Sequence, residues 1–144
     1  MSNDLNDQQS MNDNPAQTKK TVLLVDEDSK IAAVFHDFLQ SEGYRMIQAT
    51  TVSEALTYLE KEKVALIITD LRLSEYSGLS LLVRVRALLY PVPVIVMSAY
   101  TDFMSEEDWR LLGATEFIAK PPDLSQLREV ISRVLERDNE RRRT

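Results

Sequence analysis

Apolar positions along this chain alternate between two rhythms. Short runs rich in β-branched residues, "TVLLV" (residues 21–25), "VALIIT" (64–69) and "VPVIVMS" (92–98), read as strands buried on both faces. "YRMIQA" (44–49) mixes polar and apolar positions, as an edge strand does, and "TEFIA" (115–119) supplies a fifth strand. Between the strands the period lengthens to that of a helix. Ile31, Val34, Phe35, Phe38 and Leu39 share one helical face; Ser29 stands where a cap is needed and Gly43 where the helix must stop. Val52, Ala55, Leu56 and Leu59 mark a second helix, and Leu79, Leu82, Val83 and Leu89 a third. The stretch 102–112 reads as a fourth, closed by Gly113. Leu127, Val130, Ile131, Val134 and Leu135 give the last, opened by Asp123 with Gln126 in the pattern of a capping box.

Strict alternation of strands and helices implies right-handed crossovers and a parallel sheet covered on both faces. The edge-like strand comes second in sequence. That fits an α/β, flavodoxin-like doubly wound fold of five strands, order 2-1-3-4-5, flanked by five helices. The domain spans residues 21–137, between a polar tail (1–20) and a charged tail (138–144).

Composition narrows the chemistry. With no cysteine and one histidine among 144 residues, thiolate catalysis, disulfides and histidine-rich metal centres are excluded. A formal net charge of −6 disfavours direct nucleic-acid binding. The polar start lacks a signal-peptide core, and no run is long enough to span a membrane, so a cytoplasmic location is expected.

In such sheets, sites form beyond the carboxyl ends of the strands. The first strand ends on Asp26, Glu27 and Asp28, the third on Asp70, the fourth on Ser98 and the fifth on Lys120. Each alone is ordinary: an aspartate after a strand is usually a turn former, and a lysine usually a surface charge. Together they put several carboxylates, a hydroxyl and an ammonium on one rim. Carboxylates so placed raise each other's pKa unless cations intervene. Lys120 is one such cation, and Mg2+, a hard ion content with one or two carboxylates, is the natural second. A carboxylate beside Mg2+ and a lysine suits phosphoryl acceptance, with Asp70 as nucleophile and Lys120 and Ser98 holding phosphoryl oxygens.

From "LLVDEDSKI", "IITDLRLSEYSG", "VIVMSAY" and "GATEFIAKPP" the chain resembles the receiver domain of bacterial two-component response regulators. The resemblance implies that Asp70 is the phosphoacceptor and also a metal ligand. It implies that Glu27 binds Mg2+ directly, Asp26 through water, and Arg72 through its backbone carbonyl. Ser98 matches the hydroxyl that moves to the phosphoryl group, Phe117 the aromatic switch, and Lys120 the lysine, with Pro121 after a cis bond. The expected donor is a sensor histidine kinase or histidine phosphotransfer protein. Because the chain stops soon after the last helix, output is expected through a protein contact, a phosphoryl relay to another histidine, or a domain outside this sequence. The expected contact surface is the fourth helix, fifth strand and fifth helix, with homodimerisation there left open. Ser74 replaces the family's usual proline. Bulky Arg72 and Tyr100 are expected to shield the phosphoryl group and prolong its life. Trp109 takes the place of a small residue on the fourth helix, as a repacked core or a reshaped partner face.

Two rivals share parts of this pattern. A phosphohydrolase of the haloacid dehalogenase type also carries "DxD" after its first strand, but it needs a later acidic strand end and gives Asp70 no role. A phosphorylation-independent interaction module usually loses acidic or lysine positions, and all are kept here.

Overall fold

A computed structural model describes residues 19–73, 78–98 and 106–143. Its elements in chain order are β1 (Thr21–Val25), α1 (Ser29–Ser41), β2 (Arg45–Ala49), α2 (Val52–Lys61), β3 (Leu66–Asp70), α3 (Gly78–Ala87), β4 (Val94–Ser98), α4 (Glu106–Leu111), β5 (Glu116–Ala119) and α5 (Leu124–Arg143). The strands pair in parallel, in the order β2-β1-β3-β4-β5. This is the order expected from the sequence.

The sheet divides the core in two. Val22, Leu24, Leu66, Ile68, Ile95 and Met97 point to one side, where α1 adds Phe35 and Leu39 and α5 adds Leu127 and Ile131. Leu23, Val25, Ile67, Val94 and Val96 point to the other, where Ala55, Leu82 and Trp109 come from α2, α3 and α4. β1 and β4 are buried throughout because both faces of the sheet are covered, whereas β2 at the edge is half-buried.

Local chemistry trims several predicted boundaries. The cap of α1 is Asp28, not Ser29: its backbone is extended (φ −80°, ψ 112°), and its Oδ1 accepts N–H bonds from Lys30 (2.8 Å) and Ile31 (3.3 Å). Gly43 ends that helix at φ +88° as expected. The ladder of β4 starts at Val94, since Pro93 has no N–H to give and offers only its carbonyl, to Ile67 (3.0 Å). Leu89 does not line the third helix, which ends at Ala87; it sits at φ +64° and is 86% exposed. Val34 and Val83 also face solvent, at the flanks of their helical stripes. Residues 138–143, expected as a tail, continue α5, and there Asp138 is buried and ion-paired with Arg141 (2.6 Å).

Candidate functional site

Four strand ends deliver the predicted side chains to one rim. Asp26 follows β1 and is held by its backbone, whose N–H donates to Ala49 O (3.0 Å) and whose carbonyl accepts from Gln48 Nε2 (3.1 Å). Asp70 is the last residue of β3 and Ser98 the last of β4, where Ser98 is buried. Lys120 follows β5; its N–H donates to Ser98 O (2.9 Å), and the bond to Pro121 is cis, as expected.

The structure brings three of these groups together. Lys120 Nζ lies 3.0 Å from Asp70 Oδ2 and 3.5 Å from Asp26 Oδ2. Asp26 Oδ1 accepts the Asp28 N–H at 2.8 Å, and Asp70 Oδ1 accepts the Arg72 N–H at 3.3 Å. Asp26 Oδ2 is buried and accepts no hydrogen bond among the described residues. Burial pushes the Asp26 carboxyl above the usual carboxylate range, and the nearby Asp70 charge adds to this; the Asp28 N–H and Lys120 only partly offset them. For Lys120, burial alone would favour the neutral amine. The hydrogen bond to Asp70 and the charges of Asp26 and Asp70 outweigh it, so the ammonium titrates above its ordinary value.

Glu27 is exposed, and no three acidic or histidine side chains gather into a metal-holding group among the described residues. The donor set at hand is therefore a pair of carboxylates, with one buried oxygen that accepts no hydrogen bond and that the Lys120 ammonium approaches only to 3.5 Å. That set suits a hard cation such as Mg2+, which is content with one or two carboxylates and otherwise binds waters and phosphoryl oxygens. Of the three acids following β1, Asp28 is committed to capping α1. Phe117 lies on β5, opposite Val96 in register, and packs partly buried against the core half that contains Trp109. Trp109 is fully buried, so the repacked-core reading holds. Ser74 and Tyr100 lie outside the described residues.

The start of α3 lies against the end of β3. The Gly78 N–H donates to Leu71 O (2.7 Å), which holds the first residue of α3 against the strand end. A Cβ at Gly78 would collide with the Asp70 carbonyl oxygen and press on Leu71 Cα (3.2 Å). Gly78→Ala is therefore expected to destabilise the domain by about 2 kcal/mol, read by denaturant unfolding, although alanine is the better helix former.

A second expectation concerns Asp26. A carboxyl whose folded pKa is raised contributes stability below its unfolded pKa and loses it as pH rises, so ionised Asp26 opposes folding at neutral pH. Asp26→Asn should raise stability at pH 7 by about 1 kcal/mol, a few degrees in Tm. The gain should vanish as pH falls into the ordinary carboxylate range. A variant that melts lower at pH 7 would contradict the assigned strain.

Two features of the structure have little signature in the sequence. Glu116 on β5 is shared by Arg110 of α4 (3.5 Å) and by Arg133 (3.5 Å) and Arg137 (2.9 Å) of α5. The four-residue spacing of the two α5 arginines was the available clue. Arg86 of α3 donates to the carbonyls of Tyr90 (2.9 Å), Val92 (2.7 Å) and Gly113 (2.7 Å); only the fold brings those oxygens together.

Comparison with known proteins agrees with this geometry. Residues 22–132 match the family model of the response regulator receiver domain. Sporulation initiation phosphotransferase F of Bacillus subtilis is 28% identical over 114 residues, covering 79% of this chain and 92% of that protein. The transcriptional regulatory protein GlrR of Escherichia coli is 33% identical over 115 residues, covering 80% of this chain and 26% of that protein; the chain thus spans about a quarter of that regulator. A solved response regulator receiver protein from Pseudomonas putida is 34% identical, with a TM-score of 0.74 over 81% of this chain and 98% of its own. A CheY-like receiver domain protein from Methanospirillum hungatei is 27% identical, with a TM-score of 0.80 over 86% of this chain and 99% of its own. The family model, the relatives and the acid–lysine rim agree: this chain belongs to the receiver domains of two-component response regulators, signalling domains whose general role is to accept a phosphoryl group.

Proposed function

We propose that Asp70 is the phosphoacceptor, and that it takes its phosphoryl group from a phosphohistidine of a sensor kinase or a histidine phosphotransfer protein. The observation that carries this reading is the ammonium of Lys120, 3.0 Å from Asp70 and 3.5 Å from the unsatisfied oxygen of Asp26. The name of the Bacillus relative, a phosphotransferase, supports a relay. In the transfer, a carboxylate oxygen of Asp70 attacks phosphorus. A P–O bond forms, the P–N bond to the donor imidazole breaks, and the ring nitrogen leaves with the electron pair. No proton is needed at Asp70, since it reacts as the anion. Lys120 holds Asp70 in place beforehand and pairs with a phosphoryl oxygen afterwards.

Asp26 and Asp70 are the residues that would hold Mg2+, with Glu27 and the Arg72 carbonyl, their near neighbours in sequence, as further ligands. When bound, the ion supplies charge neutralisation for the incoming phosphoryl group. Without a cation, the buried Asp26 carboxylate and the added phosphoryl charge would repel each other at the same rim.

Phosphorylation then draws Ser98 and Lys120 towards the new group. Ser98 vacates space next to β5, and Phe117 turns inward to fill it. Phe117 has no hydroxyl to desolvate, so the inward form leaves no unpaired polar group. The outward consequence falls on α4, β5 and α5, where Glu116 ties Arg110 to Arg133 and Arg137 and where Leu111 is 85% exposed. That face is assigned to a downstream protein target, with a second copy of the chain as the alternative occupant. Among the described residues no helix is long and apolar enough to cross a membrane, and the acidic chain is not assigned to nucleic acid.

The test is incubation with acetyl phosphate and Mg2+, followed by intact mass and by stability of the adduct in acid and base. An acyl phosphate survives acid better than base. An adduct with the opposite lability, or none at all, would refute Asp70 as acceptor.

A further inference from the structure

Trp109 is the only tryptophan of the chain and is 0% exposed. Its indole Nε1 finds no hydrogen-bond partner among the described residues. A buried indole usually finds one, because an unmet donor forfeits its hydration with nothing in return. Packing uses only the apolar surface of the ring, and the unmet N–H adds nothing to it.

The backbone around Trp109 is held rigidly. The Ala114 N–H donates to Trp109 O (3.0 Å) and the Gly113 N–H to Arg110 O (3.0 Å), with Gly113 at φ +105°. These are the two bonds of a Schellman motif, closed by the burial of Ala114 in the same half-core as Trp109. Arg86 adds two bonds to Gly113 O, from Nε (3.1 Å) and Nη2 (2.7 Å), pinning the end of α4 to α3. The chain runs from this pin directly into β5 and Phe117. Phe117 packs against the core half that Trp109 fills. A change in the position of Phe117 must therefore be absorbed by side chains there, since the backbone at the end of α4 is fixed from two sides. Among the described residues Trp109 is the largest fully buried side chain, and its polar atom is unsatisfied.

We propose that Trp109 is a positioning residue of the switch: its indole N–H, without a partner among the described residues, gains a polar partner or water when Asp70 is phosphorylated, and so favours the side-chain packing of the phosphorylated form in this half of the core. This rests on the phosphoacceptor reading of Asp70. A population shift requires groups that interact differently in the two states, and an orphaned buried donor is such a group.

The experiment uses the full chain and the fluorescence of its sole tryptophan. The unmodified protein should emit far to the blue, as a dry, unbonded indole does. Acetyl phosphate with Mg2+, taken to completion by intact mass, should move the emission to the red. The same additions should leave the emission of Asp70→Asn unmoved. Trp109→Phe keeps an aromatic ring but removes the donor; it should still be phosphorylated, about fivefold more slowly, the factor for roughly 1 kcal/mol of lost bias. Full phosphorylation with unmoved emission would overturn the inference while leaving the acceptor intact. An equal shift in Asp70→Asn would overturn it too. Absence of any mass increment would instead strike the phosphoacceptor reading, and this inference with it. Should Trp109→Phe fail to fold, the emission of the native chain still decides.

Discussion

Asp70→Asn, incubated with acetyl phosphate and Mg2+, is expected to gain no phosphoryl group under conditions that fully modify the native chain. The amide cannot act as the attacking anion, so the loss is complete rather than partial. The fold should survive the change. The amide oxygen can still accept the Arg72 N–H, held at 3.3 Å in the native chain, and Lys120 keeps Asp26 as a partner. Unaltered far-ultraviolet circular dichroism, with Tm within a few degrees of native, would separate lost chemistry from lost structure. A phosphohydrolase using Asp26 as its nucleophile makes the opposite forecast, since it would keep turning over without Asp70. Residual modification of Asp70→Asn at the native rate would therefore reassign the site.

Lys120→Met carries the second large effect, and it acts on both stability and reactivity. The Lys120 side chain is only 20% exposed and is the shared partner of two carboxylates, one of them 2% exposed. Removing the cation leaves those charges facing each other across a largely dry rim. Breaking such a pair from one side typically costs about 3 kcal/mol. The cost should depend on pH in a specific direction. The Asp26 carboxyl already titrates high in the native chain, and without Lys120 it should titrate higher still. A carboxyl with a raised folded pKa regains stability as pH falls towards its unfolded pKa and loses it as pH rises. The gap between native and Lys120→Met should therefore be widest near neutrality and narrow on acidification, read by urea unfolding at several pH values. A gap independent of pH would argue against charge as the cause. Phosphorylation by acetyl phosphate should fall by about 100-fold or more, the usual cost of removing a preorganised donor from a developing oxyanion.

Much of this architecture was legible before any coordinates. Strand cores such as Leu66–Ile68 are apolar on both faces, which a parallel sheet covered on each side explains, and β2 differs because it lies at the edge. Asp26, Asp70, Ser98 and Lys120 could be placed on one rim because a parallel sheet sends every strand's carboxyl end the same way. Features set by local competition were less legible. Asp28 and Ser29 are both good caps, and the choice of Asp28 depends on backbone angles that sequence does not display. Leu89 fits a helical period but lies beyond the end of α3, where Tyr90 N–H donates to Val85 O (3.2 Å) and closes the turn. The extension of α5 to Arg143 went unseen because its last residues are charged. Their helicity is supported by the ion pair of buried Asp138 with exposed Arg141 rather than by an apolar stripe. The shared burden of Lys120 and the orphaned indole of Trp109 are tertiary facts that no spacing along the chain encodes.

The central claim is that the Asp26–Asp70–Lys120 cluster is a cation-dependent acceptor of phosphoryl groups at Asp70. Peptide mapping of the borohydride-reduced adduct tests it most directly, on protein treated with acetyl phosphate in the presence of Mg2+ or of a chelator. The account predicts reduction at Asp70 alone, and only in the sample with Mg2+. Reduction at Asp26 or Glu27, or equal labelling of Asp70 under chelation, would contradict it.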